Sequence, residues 1–283
     1  MDKSHGVGQR IHAIASATNP ALKVFRHALA EGTTREGWLA VEGPHLLEEA
    51  LRAERATVQS VIVAAGARQR FQNLLAQLPA QPEVVEVPDR LFRQVAATES
   101  PQGIAALVEL QAADLDHSIA RPDALVIVAC GLQDPGNLGT IMRSAQAFGA
   151  TALVTLEGTV SPFNPKAARA SAGAIFHLPI FTGEKPRPLF LRLRQAGVRI
   201  VATDRHSSSK IMDADLRGPV AILIGREAAG IAPEIAAEAD MRVSIPIRPG
   251  MDSVNAATAA SIFLYEAARQ RKFNDWAIDS LNH

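Results

Sequence analysis

The spacing of apolar residues along the chain predicts short strands alternating with helices. Asn19-Pro20 reads as a helix start, with Asn19 as cap and Pro20 in the first helical position, and Leu22, Phe25 and Leu29 follow at helical spacing. Residues 38–41 predict a strand. Pro44 opens a helix carrying Leu46, Leu47, Ala50 and Leu51 on one face. A strand at 58–63, a helix at 68–78, a strand at 84–87 ended by Pro88, a short helix at 91–96 and a strand at 104–110 complete the first half. The second half begins with a fully apolar strand at 124–129. Helices at 136–148, 165–172, 188–196 and 254–271 then alternate with strands at 152–156, 178–181, 198–202, 220–224 and 242–245. Continuous apolar strands between helices predict a mainly parallel sheet covered on both faces. Residues 1–18 read as a flexible tail, 19–110 as a small α/β domain, 111–122 as a polar linker ending in Arg121-Pro122, and 123–283 as a second α/β domain.

Composition changes this picture little. With 47% hydrophobic and 20% charged residues, the 283-residue chain has ample material for cores. Lys plus Arg equals Asp plus Glu, 29 against 29, so any attraction to phosphate must come from local patches. One such patch stands near the start, where Lys3, Arg10, Lys23 and Arg26 with His5, His12 and His27 face only Asp2 before Glu31. A solvated tail and a basic arm on RNA both fit it. Aromatic residues, at 5%, are too few for rows of base-stacking rings. The one cysteine, Cys130, excludes an internal disulfide and a cysteine zinc cluster, as expected of a cytoplasmic protein. The first twelve residues lack the apolar core of a signal peptide, and no apolar run approaches the roughly 20 residues of a membrane span.

Open α/β sheets bind ligands in the loops that follow their strands. Three such loops carry chemistry. The first, Gln133-Asp134-Pro135-Gly136-Asn137-Leu138-Gly139, leads into a helix bearing Arg143; Asn137 is a candidate helix cap there. The second, Gly225-Arg226-Glu227-Ala228-Ala229-Gly230, brackets a charged pair with glycines. The third runs from Ile245-Pro246-Ile247 through Pro249-Gly250 to Asp252-Ser253-Val254-Asn255, with Ser253 or Asp252 as candidate caps for the last helix. The glycines at 131, 136 and 139 have the wrong spacing for a dinucleotide fingerprint, and no phosphate loop, HExxH or GxSxG motif occurs. The eight histidines lack ligand spacing; His177 and His206 read as surface or core-edge positions, and no metal is expected.

Taken together, the loops resemble the SpoU/TrmH family of RNA ribose 2′-O-methyltransferases. The likeness rests on Pro135 through Ala145 with Phe148-Gly149, on Ile224-Gly225-Arg226-Glu227 through Gly230, and on Ile245-Pro246-Ile247 through Ser253-Val254-Asn255. Ser161 through Ala174, Val41-Glu42-Gly43-Pro44 with Glu48-Glu49-Ala50, and Pro101-Gln102-Gly103-Ile104 extend it over about residues 18–272. It implies a C-terminal trefoil-knotted methyltransferase domain, a smaller L30e-like RNA substrate-binding domain before it, S-adenosylmethionine as donor and a homodimer. By position it places donor binding on Gly225, Ile245 and Val254 with Ile224 and Ile247. It puts the catalytic arginine at Arg143, with Asn137, Glu227, Ser253 and Asn255 around it, and phosphate contacts at Asn164, Lys166 and Arg169. Arg226 and Ala228 depart from the Asn and second Gly of the family's Gly-Asn-Glu-Gly motif, and Val254 replaces a leucine. The resemblance leans towards ribosomal RNA, 23S before 16S; a transfer-RNA enzyme and a knotted RNA-binding protein without methyl transfer are the alternatives.

Overall fold

The computed structural model describes residues 11–271 except Ala228. The first ten residues of the expected tail and the last twelve of the second domain lie outside it. The described chain divides into two compact units: residues 11–112 with 163–177, and residues 113–162 with 178–271.

The first unit is built on a five-stranded mixed sheet in the order β1-β4-β3-β5-β2. Its elements are β1 (Ile11–Ala13), α1 (Pro20–Glu31), β2 (Leu39–Glu42), α2 (Pro44–Arg52), β3 (Ala56–Ala64), α3 (Gln72–Leu75), β4 (Glu83–Val87), α4 (Asp89–Val95) and β5 (Ile104–Leu110). The Asn19 side chain accepts from Ala21 N at 2.8 Å, as the sequence suggests. β1 was not foreseen: three residues of the expected tail pair in parallel with β4. The helix expected at 68–78 is also different. Its apolar period is correct, with Phe71, Leu74, Leu75 and Leu78 buried, but three- and four-residue hydrogen bonds mix along it. Only Gln72–Leu75 is regular α-helix. Glu42 ties down the next loop, accepting from Ala97 N at 2.8 Å and from the Thr98 hydroxyl. A segment that follows much later in the chain, with α7 (Pro165–Ala170), joins this unit; α7 packs on α1 and β2.

The second unit begins with α5 (Leu115–Ile119), inside the stretch expected to be a linker. Asp114 caps it, and Leu115 and Ile119 are buried, a single apolar pair too short to register as a period. Then come β6 (Leu125–Ala129), α6 (Pro135–Ala147), β7 (Ala152–Leu156), β8 (Ile180–Glu184), α8 (Pro186–Gln195), β9 (Arg199–Thr203), β10 (Val220–Ile224), α9 (Pro233–Ala236), β11 (Met241–Val243) and α10 (Ala256–Gln270). The six strands are parallel throughout, in the order β11-β9-β10-β6-β7-β8. β6 and β10, the central pair, are buried at every residue, as strands covered on both faces must be. No helix among the described residues is long and apolar enough to cross a membrane.

Two side chains report on this packing. Cys130, the residue after β6, lies in the core, where burial pushes its thiol up to about 12. Half-buried Arg271, one residue past α10, donates to four carbonyls: Leu216 at 3.0 Å, Asp123 at 2.8 Å, Ala124 at 3.2 Å and Gly218 at 2.6 Å. It thereby stitches the end of the last helix to the chain entering β6 and β10. Arg271→Met leaves those carbonyls without their charged donor, and a loss of about 2–3 kcal/mol is expected in denaturant unfolding. Iodoacetamide at pH 8 is expected to spare Cys130 in the folded chain and to modify it only at the rate of unfolding, because so little thiolate is present.

Candidate active site

The loops at the carboxyl ends of β6, β9, β10 and β11 meet where the strand order reverses, between β6 and β10. The loop after β10 is held tightly. Arg226 N donates to Gly230 O at 2.9 Å, and Gly230 N returns to Arg226 O at 3.0 Å. Gly225 is buried against this closure, and a side chain there would collide with the backbone of Gly230 and Ile231. The glycine is therefore required by a close backbone approach.

Both expected helix caps are reassigned. Asp134 caps α6, accepting from Gly136 N at 3.3 Å and Asn137 N at 3.1 Å. Asn137 is one turn too far in, which frees its side chain. Asn255, and not Ser253 or Asp252, caps α10, accepting from Ala257 N at 2.8 Å and Thr258 N at 3.3 Å. The freed amides then form a chain across all three loops. Asn137 Nδ2 donates to Glu227 Oε1 at 2.8 Å, and Asn255 Nδ2 donates to Asn137 Oδ1 at 2.9 Å. A Ser144–Ser261 hydroxyl pair at 2.7 Å joins α6 to α10 on the same side.

Beside this chain lies a cleft of about 430 Å³. Ile224, Gly225, Ile245, Ile247 and Val254, the five positions expected to hold the donor, all line it. So do Glu227 and Ser253. The expectation from sequence missed other walls: Asp204, Arg205 and His206 after β9, Arg242 and Ser244 at β11, and Phe263 on α10. The first of these were within reach, because they follow a strand in the way the three chosen loops do. His206 is thus exposed, as expected, but sits on the cleft and accepts from Arg205 Nε at 3.0 Å. Among the described residues no three His, Cys, Asp or Glu side chains gather as a metal set.

Not every candidate joins the cleft. Arg143 is exposed on α6 and makes no hydrogen bond or ion pair with a described residue. Lying six residues past Asn137, it points about 120° away around the helix. Asn164, Lys166 and Arg169 stand at α7, in the first unit; Asn164 is its cap, accepting from Lys166 N at 2.9 Å. The cleft combines an apolar floor from Ile224, Ile245, Ile247 and Phe263 with the carboxylates of Asp204 and Glu227. Such a lining suits a ligand with one flat apolar ring and several hydroxyl or amino groups.

Residues 124–265 match the SpoU rRNA Methylase family, and residues 28–106 the MRM3-like substrate binding domain. A 23S rRNA uridine 2′-O-methyltransferase of Streptomyces viridochromogenes is 36% identical over 194 residues, 67% of this chain and 68% of its own. The 23S rRNA guanosine 2′-O-methyltransferase RlmP of Bacillus subtilis is 30% identical over 89% of this chain and 97% of its own. The crystal structure of the SpoU methyltransferase AviRb from Streptomyces viridochromogenes, in complex with AdoMet, superposes with a TM-score of 0.80 at 30% identity, covering 89% of this chain and 98% of that one. An AdoMet-bound rRNA methyltransferase from Sinorhizobium meliloti gives 0.79 at 29% identity, over 92% and 98%. With its family match spanning half the chain and these relatives aligned over most of its length, this chain belongs to the SpoU rRNA methylase family.

Proposed function

We propose that this chain methylates a ribose 2′-hydroxyl of ribosomal RNA in the cytoplasm, with S-adenosylmethionine as donor and 23S rRNA as substrate. The observation that carries the reading is the cleft: all five positions assigned to the donor from sequence open on it, and the polar chain from Glu227 to Asn255 runs along its edge. The curated relatives named above act on 23S rRNA, one on a uridine and one on a guanosine, which favours that RNA and leaves the base open. The same reading extends to the trefoil knot in the second unit and the L30e-like fold of the first.

When bound, the donor supplies a methyl carbon already activated by its sulfonium. Backbone groups of Gly225, Ile245 and Val254 would hold it, with Ile224 and Ile247 beneath. The protein's remaining task is to align a weak nucleophile and stabilise it as its proton leaves. Glu227 is fixed through one oxygen by Asn137; the other, Oε2, makes no bond with a described residue and can accept from the 2′-hydroxyl. Asn137 is itself fixed by Asn255, whose cap anchors the chain of bonds to α10. Ser253 adds a hydroxyl on the cleft wall. Arg143 is suited to a phosphate and the developing alkoxide, as a rigid fork of charged donors. A guanidinium pKa above about 12 makes it a poor proton acceptor.

Arg143 stands off its own cleft, and this bears on assembly. α6 and α10 pack together, and their outer side carries Tyr265, 55% exposed, with its ring edge-on to Phe148 at 5.9 Å. An aromatic pair left this open suits a homodimer seam. Pairing through these helices would bring Arg143 of one copy towards the cleft of the other.

Four outcomes follow for purified protein with tritiated donor and 23S transcripts. Label is expected on ribose 2′-oxygens in nuclease digests; label confined to bases contradicts the reading. Arg143→Lys is expected to lower turnover by tenfold or more, since a point charge cannot replace the fork; near-normal turnover would falsify its role. Gly225→Val should abolish donor binding and also lower the melting temperature, because the added side chain collides with the backbone of Gly230 and Ile231. Co-refolding that variant with Arg143→Ala is expected to restore part of the activity, because a mixed dimer retains one intact site; no restoration argues that each chain works alone.

A further inference from the structure

We propose that the helical layer α4–α1–α7 of the first unit is a docking surface for the RNA sugar-phosphate backbone. The proposal rests on the RNA reading above. α1 packs against α4 and also against α7. Each of the three helices exposes two cations three residues apart: Arg90 and Arg93 on α4, Lys23 and Arg26 on α1, Lys166 and Arg169 on α7. Residues at that spacing lie nearly one above the other, so each helix presents its pair on one face. The opposite faces are buried through Leu91, Phe92 and Val95, through Leu22, Phe25 and Leu29, and through Ala167 and Ala168. The sequence of these helices holds six Lys or Arg residues but only two carboxylates, Glu31 and Asp89.

Elsewhere in the unit, most described cations are partnered, Arg35 being an exception. Arg52 meets Glu49 at 2.9 Å and Arg68 meets Glu86 at 2.7 Å, while Arg70 lies over the Phe71 ring and donates to Gln102 O. On the layer, Lys23, Arg26, Arg90, Arg93 and Arg169 make no ion pair or hydrogen bond through their side chains with any described residue. In a chain with 29 charges of each sign, this is segregation and not general excess. The layer exposes no phenylalanine, tyrosine or tryptophan ring, since Phe25 and Phe92 are buried. It therefore contacts phosphates without stacking on bases, and contributes affinity and orientation while leaving the choice of base to the cleft. The surface also joins two stretches far apart in sequence. α7 follows the first unit's other helices by some 70 residues of chain yet packs beside α1.

The test is fluorescence anisotropy with a labelled 23S transcript that the unaltered full chain methylates, titrated across salt concentrations. The variant carries Lys23→Gln, Arg26→Gln, Arg90→Gln and Arg93→Gln; a second carries Arg169→Gln with the first four. Each lost phosphate contact lowers the slope of log affinity against log salt by roughly 0.7–0.9. Four contacts therefore predict a slope shallower by about 3 and affinity down at least tenfold at 50 mM salt. KM for RNA should rise with kcat and donor affinity unchanged, and the fifth change should add to the loss. A control with Arg52→Gln and Arg68→Gln, whose charges are already paired, should bind as the unaltered chain does. If the unaltered chain binds and the variants keep its affinity and slope, the surface is wrong while the RNA reading stands. If the unaltered chain binds no RNA, both fall.

Discussion

The parallel pairing of β10 between β6 and β9 is the constraint from which the site follows. Val220 through Ile224 register one-for-one with Leu125 through Ala129, and Cys130 N extends the ladder to Ile224 O at 2.8 Å. Because both strands are buried along their whole length, neither can slip by a residue without turning packed side chains to the wrong face. Their carboxyl ends are therefore level, and the loops they release face each other. That is why Asn137, after β6, can reach Glu227, after β10. The last helix closes the arrangement at both ends, through the Asn255 cap beside the cleft and through Arg271 at the far edge of the sheet.

Much of this was legible in the sequence. Strands dense in apolar residues announce themselves, and 104–110, 152–156 and 220–224 fall where expected. The three loops were recognisable from their glycines, prolines and polar side chains, and the donor positions inferred from them share one cleft. What escaped depends on tertiary context. Asn137 and Asp134 are both plausible caps in one dimension; only the geometry of the helix start decides which side-chain oxygen meets the free amides. β1 is three residues of ordinary composition that become a strand because β4 offers an open edge. The place of 163–177 could not be read from its neighbours, which belong to the other unit. Arg143 shows the converse: its position in the motif was plain, but its orientation away from the cleft was not.

The division of labour that emerges is chemical. The second unit supplies a small, shaped, largely preformed cleft whose polar groups hold one another in place before any ligand arrives. The first unit, joined by a segment borrowed from the second half of the chain, offers the exposed cations of α4, α1 and α7. Relatives that differ in the base they modify align with two thirds or more of this chain, which fits a scheme where the reacting ribose is handled alike and the RNA surroundings differ.

The central claim is that the cleft beside Gly225 and Glu227 is a methyl-donor site. Calorimetric titration of the full chain with S-adenosylmethionine, alongside NAD, tests it most directly. Saturable binding of S-adenosylmethionine near one per chain, lost on Gly225→Val and with no heat from NAD, is the predicted result. Saturable binding of NAD, or S-adenosylmethionine binding that survives Gly225→Val, would contradict it.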